Sequence, residues 1–150
     1  MIRLIDISEE NWLEVIFLST CKGVPAICEE FIASNALSLV QAQFEKIWTT
    51  KAIEKEGKII GFTMYGYAKK QGYYELCRIM IDYKFQGNGY GTEAMQLVIE
   101  EMKKFEDCNS IYLSTDSENI KGKHLYEKLD FINTGDYIDE EELYVLSINK

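Results

Sequence analysis

A chain of 150 residues, 47% hydrophobic with seven Phe, ten Tyr and two Trp, has the size and core material of one folded domain rather than of a disordered segment. Its 25 acidic against 16 basic side chains leave a net charge of −9, which repels phosphate backbones and argues against a nucleic-acid partner. The same surface attracts small cations, polyamines included, although solubility alone is served by it equally well.

The four cysteines, Cys21, Cys28, Cys77 and Cys108, are widely spaced and form no CxxC pair. Neither a zinc site nor a disulfide framework is therefore expected, and reduced thiols are. Met1-Ile2-Arg3-Leu4-Ile5-Asp6 has neither the apolar stretch nor the cleavage site of a signal peptide. No apolar run approaches the roughly 20 residues that span a bilayer. A cytoplasmic protein without membrane association is the expectation.

In chain order, Ile2 to Ile7 reads as an opening strand, with Ser8 as the cap of a helix whose apolar residues Trp12, Leu13, Ile16 and Phe17 recur at helical spacing. Pro25 opens a second helical region through Phe31, Ile32, Leu37, Val40 and Phe44, with a break near Ser34-Asn35. Lys51 to Lys55, a Glu56-Gly57 turn and Lys58 to Tyr67 form a hairpin. After a turn over Lys69 to Gly72, Tyr73 to Ile81 suits a central strand. Gly91 to Phe105 is a helix, with Ala94, Leu97, Val98, Glu101, Met102 and Phe105 marking its faces. Ser110 to Ser114 is a short buried strand, Asn119 to Leu129 a helix, and Phe131 to Tyr137 and Leu143 to Ile148 are closing strands. The order β-α-α-β-β-β-α-β-α-β-β mixes antiparallel hairpins with one β-α-β crossover, which makes an α+β, or mixed α/β, single domain over residues 1 to 150.

The chemistry concentrates where the central strand ends. Ile79-Met80-Ile81-Asp82 is followed by Gln86-Gly87-Asn88-Gly89-Tyr90-Gly91-Thr92 and then by a long helix. Glycines let a backbone approach a phosphate closely and take positive φ, and the free N–H groups of the first helical turn then face the anion. A plain strand-to-helix turn with capping glycines is the bland alternative. A P-loop is excluded because no Gly-x-x-x-x-Gly-Lys-Ser/Thr string occurs. A Rossmann fingerprint fails because the sixth position from Gly87 is Thr92. What remains is Gln/Arg-x-x-Gly-x-Gly/Ala, satisfied by Gln86, Gly89 and Gly91.

That signature resembles the pyrophosphate-binding turn of the GNAT superfamily of N-acetyltransferases. Asn119-Ile120-Lys121-Gly122-Lys123-His124-Leu125-Tyr126-Glu127-Lys128-Leu129-Asp130-Phe131 is similar to a second pattern of that family, Asn followed after six residues by Tyr-Glu-Lys-Leu-Gly-Phe. Asp130 stands where glycine is usual, which touches only the helix-to-strand turn. Phe31 to Leu39 and Arg78 to Asp82 are similar to bacterial spermine/spermidine N-acetyltransferases. The resemblance implies a GNAT domain with a mostly antiparallel mixed sheet flanked by helices, and acetyl-CoA as cosubstrate. It further implies transfer of an acetyl group to a primary amine, a polyamine such as spermidine or spermine being favoured.

The roles implied by the resemblance are as follows. The backbone from Ile79 through Met80 to Ile81 lies along the pantetheine arm, and Gln86 to Thr92 take the pyrophosphate. Asn119, with Ile120, Lys121 and Gly122, meets the arm near its end. Tyr126, whose phenol keeps its proton at neutral pH, is the general acid for the departing thiolate. Glu75 is placed on one strand face with Cys77, Ile79 and Ile81 by simple alternation, as a base acting through water or as an ordinary strand carboxylate. Cys77 is a packed side chain, with a thioester-forming nucleophile as the remote alternative. His124, the only histidine, has no GxSxG elbow to serve, and no metal ligands gather anywhere.

Asp136, Asp139, Glu140, Glu141 and Glu142 crowd the connection between the last two strands. Family geometry sets Asp139, Glu140 and Glu141, together with Glu29 and Glu30, along the acceptor side. Another small amine or a protein N-terminus as acceptor, a non-catalytic acyl-CoA-binding module, and a turn that holds ATP or NAD stay open as alternatives. So does a homodimer.

Overall fold

The computed structural model describes residues 1–20 and 34–149. Pro25, Cys21, Cys28, Glu29, Glu30 and residues 31–33 of the stretch likened to the polyamine enzymes lie outside the described residues.

Strands β1 (Ile2–Asp6), β2 (Trp48–Lys55), β3 (Lys58–Ala68), β4 (Tyr73–Ile81), β5 (Ser110–Thr115), β6 (Ile132–Ile138) and β7 (Glu141–Ser147) form one sheet in the order β1-β2-β3-β4-β5-β7-β6. Helices α1 (Trp12–Phe17), α2 (Asn35–Phe44), α3 (Tyr90–Met102) and α4 (Ile120–Lys128) complete the element order expected from the sequence. All strand pairs are antiparallel except β4 with β5, which α3 joins.

Strand β3, between β2 and β4, is buried almost throughout because helices cover both of its faces. Phe62 and Met64 turn to Val15 of α1 and to Leu39 of α2. Tyr65 turns the other way, to Met95, Val98 and Met102 of α3. Helix α3 can supply that face because Ala94, Met95, Val98, Ile99 and Met102 recur at helical spacing, and all five are buried.

Local chemistry explains the one shifted boundary near the N-terminus. Ser8 does not cap α1; Asn11 stands at that position. The Asn11 Oδ1 accepts from the Ser8 N–H at 2.8 Å while the Ser8 carbonyl accepts from Trp12 N–H at 3.0 Å, so the serine opens a turn ahead of the helix. Asn and Ser side chains compete for nearby backbone groups in this way. At the far end of the chain, Asp130 takes φ 72°, the left-handed conformation for which glycine is usual. The Phe131 N–H then reaches the Tyr126 carbonyl at 3.0 Å, closing α4 without the glycine.

The feature that opens the site is an irregularity in β4. Tyr65 of β3 pairs with Leu76, but Met64 pairs with Arg78, so Cys77 is an extra residue on β4. Pairing of β4 with β5 covers only Tyr74 opposite Ile111 and Glu75 opposite Tyr112. A bulge bends its strand and breaks alternation. β4 therefore parts from β5 just beyond Glu75. Leu76, Ile79 and Ile81 pack on the α3 side, whereas Cys77 and Met80 pack on the α1–α2 side. The expected single face of Glu75, Cys77, Ile79 and Ile81 is thus corrected: the bulge separates Cys77 from the two isoleucines.

Candidate active site

The glycine turn is pinned on both sides before it meets any ligand. Asp82, 4% exposed, accepts from the Ser19 N–H at 2.9 Å through one carboxylate oxygen and from the Lys84 N–H at 3.2 Å through the other. The Gln86 amide donates to the Ile81 carbonyl at 2.9 Å and to the Thr20 carbonyl at 3.2 Å. The signature glutamine thus spends its side chain on joining the end of β4 to the segment after α1.

Beyond Gln86 the backbone makes its demand for glycine. Gly87 and Gly89 take φ 83° and 81°, and a Cβ on either would meet nothing within 4 Å. Open space and left-handed φ, which the hairpin glycine Gly57 shares, leave the main chain accessible here directly ahead of a helix N-terminus. Gly89 caps α3, and the N–H groups of Tyr90, Gly91 and Thr92 begin the helix without intrahelical acceptors. Gly91 differs: its φ is not positive, and a Cβ there would sit 4.0 Å from Leu125, an ordinary contact. Tyr90 packs its half-buried ring against the cluster that holds Ile2 and Ile53, with the Lys55 ammonium 5.7 Å from its centroid. Asn88 turns its amide onto the Phe85 carbonyl at 3.2 Å.

Two cavities flank the parted strands. The smaller, about 220 Å³, is lined by Ile79, Met80, Ile81, Gln86, Gly91 and Tyr126, among others, and lies between the end of β4, α3 and α4. The larger, about 1260 Å³, holds Glu75, Cys77, Arg78 and Ser114 with Asp139, Glu140 and Glu141 at its margin. Tyr126, Ile79, Met80 and Thr20 line both. Of the expected donor residues, Ile79, Met80, Ile81, Gln86 and Gly91 line the smaller cavity, Gly87, Asn88, Gly89, Tyr90 and Thr92 line neither, and Tyr126 lines both.

Not every expected residue arrives there in the expected way. Asn119 lines the larger cavity, but its side chain caps α4: Oδ1 accepts from Gly122 N–H at 3.0 Å, and Nδ2 donates to Thr115 Oγ1 at 2.9 Å. Gly122 is what permits this, because a Cβ there would lie 2.3 Å from the Asn119 amide nitrogen. Ile120 and Lys121 are exposed on the first turn of α4 and line neither cavity. His124 is exposed on the same helix. Of the acidic stretch, Glu142 is buried in β7, paired with Lys123 at 2.9 Å and bonded by Asn133 at 2.8 Å. Asp136 is outside the cleft lining. The connection itself is only Asp139-Glu140, at φ 48° and 70°.

Electrostatics separate the titratable groups by role. Burial raises the Glu75 carboxyl above the usual range; Arg78 pulls it down and Glu141 pushes it further up. Burial pushes the Cys77 thiol up to about 12, so it is protonated at neutral pH and is a poor nucleophile. Its Sγ lies 2.8 Å from Arg78 Nη1. The Tyr126 phenol is raised chiefly by burial, while Thr115 works in the opposite direction. Sequence reasoning had passed over Thr115 and Ser114, because a short buried strand carries no motif.

Among the described residues Cys77 and Cys108 are free thiols, no group of His, Cys, Asp and Glu is placed to hold a metal, and no helix is long and apolar enough to cross a membrane.

Comparison with known proteins joins this geometry to a family. The model of the acetyltransferase (GNAT) family matches residues 10–131. A spermine/spermidine N(1)-acetyltransferase of Bacillus subtilis is 30% identical over 112 residues, which cover 71% of this chain and 74% of that protein. In structure, the spermidine N-acetyltransferase of Vibrio cholerae in complex with CoA and spermine superposes with a TM-score of 0.72 at 18% identity, covering 98% of this chain and 94% of the other. An aminoglycoside acetyltransferase in complex with coenzyme A gives 0.77 at 15% identity over 98% and 95% of the two chains. At such identities the superpositions establish the fold, whereas the family model and the Bacillus relative establish kinship: this chain belongs to the GNAT family and is an acetyl-CoA-dependent N-acetyltransferase.

Proposed function

We propose that the protein transfers the acetyl group of acetyl-CoA directly to a primary amine of a polyamine, with Tyr126 as general acid. The observation that carries this reading is that Tyr126 lines both cavities. The pantetheine arm would follow Ile79, Met80 and Ile81 through the smaller space, with its pyrophosphate on the N–H groups from Gly87 to Thr92. Asn119, Ile120, Lys121 and Gly122 would contribute as the first turn of α4, chiefly by holding that helix against the arm. The acceptor would enter through the larger cleft.

In the reaction the amine nitrogen bonds to the acetyl carbon and the C–S bond breaks, its electron pair staying on sulfur. The sulfur takes the phenolic proton. A proton released by the attacking nitrogen passes to Glu75 through water and then restores the phenol or leaves to solvent. Burial suits both groups: it keeps the phenol protonated until the thiolate forms, and it raises the carboxylate to a more useful basicity. Asp139, Glu140 and Glu141 would hold the distal ammonium groups of a polycation. Glu29 and Glu30 belong to the same proposal, though the structure describes neither.

Support for a polyamine comes from the Bacillus relative and from carboxylates at the cleft margin. The test is steady-state acetyl transfer to spermidine, spermine, an aminoglycoside and a peptide N-terminus, for wild type and Tyr126→Phe. We expect spermidine or spermine to give the highest kcat/KM. We expect the substitution to lower kcat by about 10²–10⁴-fold with little change in amine KM, as for loss of a general acid. Robust acetylation of another amine class with none of spermidine refutes the substrate, and a kcat within about twofold for Tyr126→Phe refutes the acid.

A further inference from the structure

The segment after α1 belongs to both cavities: Leu18 lines the larger cleft and Thr20 lines the two. Ser19, between them, is held at both of its main-chain polar groups. Its N–H donates to Asp82 Oδ1 at 2.9 Å, and its carbonyl accepts from the Tyr83 N–H at 2.8 Å. Thr20 is held by the signature glutamine, whose Nε2 donates to the Thr20 carbonyl at 3.2 Å and to the Ile81 carbonyl at 2.9 Å. An amide nitrogen carries two protons, and both are spent here. The amide cannot turn over, because Oε1 would then face two carbonyl oxygens. What Gln86 has left is an acceptor, and an ionised pyrophosphate likewise offers only acceptors. The side chain of the first signature residue is therefore not free to bind the group that the signature is known for.

We propose that Gln86 is a positioning residue for the acceptor: it fastens Thr20 to the end of β4 and so sets the wall along which the amine approaches the acetyl group. One short side chain reaches from Ile81, on the strand assigned to the pantetheine arm, to a residue shared by both linings. The turn that follows β4 has its own supports. The Asp82 N–H donates to the Ile60 carbonyl at 2.8 Å, and the Asp82 carbonyl accepts from the Phe85 N–H at 2.9 Å. The Asp82 carboxylate accepts from the Lys84 N–H at 3.2 Å. Loss of the Gln86 amide therefore loosens Thr20 and leaves the N–H groups from Gly87 to Thr92 in place. A residue that belongs to a cofactor signature by sequence acts, by this geometry, on the other substrate.

This inference rests on the reading of the larger cleft as the acceptor side, so the experiment measures both. Gln86→Met, Gln86→Arg and Glu141→Lys are compared with wild type for amine KM at saturating acetyl-CoA, acetyl-CoA Kd by calorimetry, and melting temperature. The amine is whichever one wild type acetylates with the highest kcat/KM, so the choice of a polyamine does not enter. Gln86→Met removes both N–H donors at nearly constant length. We expect it to raise amine KM by about three- to tenfold, the worth of one hydrogen bond, and to leave acetyl-CoA Kd within about twofold. Gln86→Arg keeps N–H donors at this position and should recover most of the amine KM. Glu141→Lys reverses a charge in the lining of the larger cleft alone and should raise amine KM as well. A Gln86→Met enzyme with weakened acetyl-CoA binding and wild-type amine KM overturns the proposal, because that is the pattern of a pyrophosphate contact. So does an equal loss in both substrates, which marks a general loosening of the turn, and so does an Arg variant as impaired as the Met variant. Wild-type amine KM in Gln86→Met beside a raised amine KM in Glu141→Lys overturns only the role of Gln86. An unchanged amine KM in Glu141→Lys overturns the acceptor reading of the cleft, and the role of Gln86 with it.

Discussion

On the proposed donor side of the site, the groups available for recognition are main chain. Gly87 and Gly89 hold left-handed φ over open space, and α3 begins directly behind them. Asp82 and Gln86 tie the turn to Ser19 and Thr20. On the proposed acceptor side, the cleft is lined by side chains drawn from β4, β5 and the β6–β7 hairpin, and also by Glu45 at the end of α2 and Trp48 of β2. The difference teaches where function is written. A ligand gripped by backbone demands glycine at fixed spacing and leaves a signature in one stretch of sequence. A ligand gripped by scattered side chains leaves none.

The sharpest way to break this comparison is at Gly89. Gly89→Glu places a charged side chain in the open space and imposes left-handed φ on a residue that disfavours it. Acetyl-CoA affinity by calorimetry should fall by about two orders of magnitude or more as the anion site is filled by a like charge. The melting temperature should fall by only a few degrees, since the strain is on the order of 1–2 kcal/mol. Gly91→Val is the internal control. Lacking positive φ, it adds bulk beside Leu125 in the lining of the smaller cavity without backbone strain, and should be the milder of the two. Equal, near-normal affinity in both variants removes the pyrophosphate from this turn.

Much of the fold could be read because its elements are long or strongly patterned. β4 matched Tyr73 to Ile81 at both ends, and the Glu56-Gly57 turn was recognisable from its glycine, which takes φ 83°. What stayed hidden was the bulge at Cys77. Nothing in Leu76-Cys77-Arg78-Ile79 announces an extra residue, because a bulge arises from the pairing of β4 with β3, which lies in another segment of the chain. Strict alternation along β4 kept Ile79 and Ile81 on one face but failed at the bulge, where it had set Cys77 with them. Thr115 was invisible for a related reason: its partner Asn119 fits a motif, but β5 does not. Asn119 was legible as a family position, while its capping of α4 became clear only from the contact with Gly122.

Glu75 sharpens the comparison from the acceptor side, because two distinct measurements read its burial. Its folded-state pKa is raised, chiefly by burial. A carboxyl raised in this way adds stability that is fully present below its unfolded pKa and is lost as pH rises through its folded pKa. Glu75→Gln should therefore raise the melting temperature at pH 7 relative to wild type, by a few degrees, and lose that advantage near pH 4. If Glu75 is the base, the same variant also loses the acid limb of the kcat/KM profile, a limb that wild type should show above the ordinary carboxylate range. A stability gain with an unchanged profile makes Glu75 a strand carboxylate and moves the base elsewhere.

The smallest effect is expected at the acidic hairpin, and there the backbone supplies an unexpected argument. Two hairpins of this sheet turn through two residues at positive φ. Glu56-Gly57 carries glycine at the second position, but Asp139-Glu140 carries glutamate there, at φ 70°. A two-residue turn of this kind favours Asn-Gly or Asp-Gly, so Glu140 is the less stable choice, and it is made at the margin of the larger cleft. Residues kept in unfavourable backbone conformations cluster at functional sites. Glu140→Gly should then stabilise the fold by about 1 kcal/mol. It should also raise the spermidine KM by about two- to fivefold, since an exposed ion pair is worth roughly 0.2–1 kcal/mol. Because screening acts over about 8–10 Å at moderate salt, added salt should weaken wild type more than the variant. Asp139→Asn and Glu141→Gln extend the series, and Glu142 is left intact because its pairing with Lys123 belongs to the fold. A stabilised Glu140→Gly enzyme with unchanged spermidine KM and unchanged salt response would show that this glutamate is an ordinary solvated turn residue. The polycation would then have to be held deeper in the cleft, by Glu75 and its neighbours.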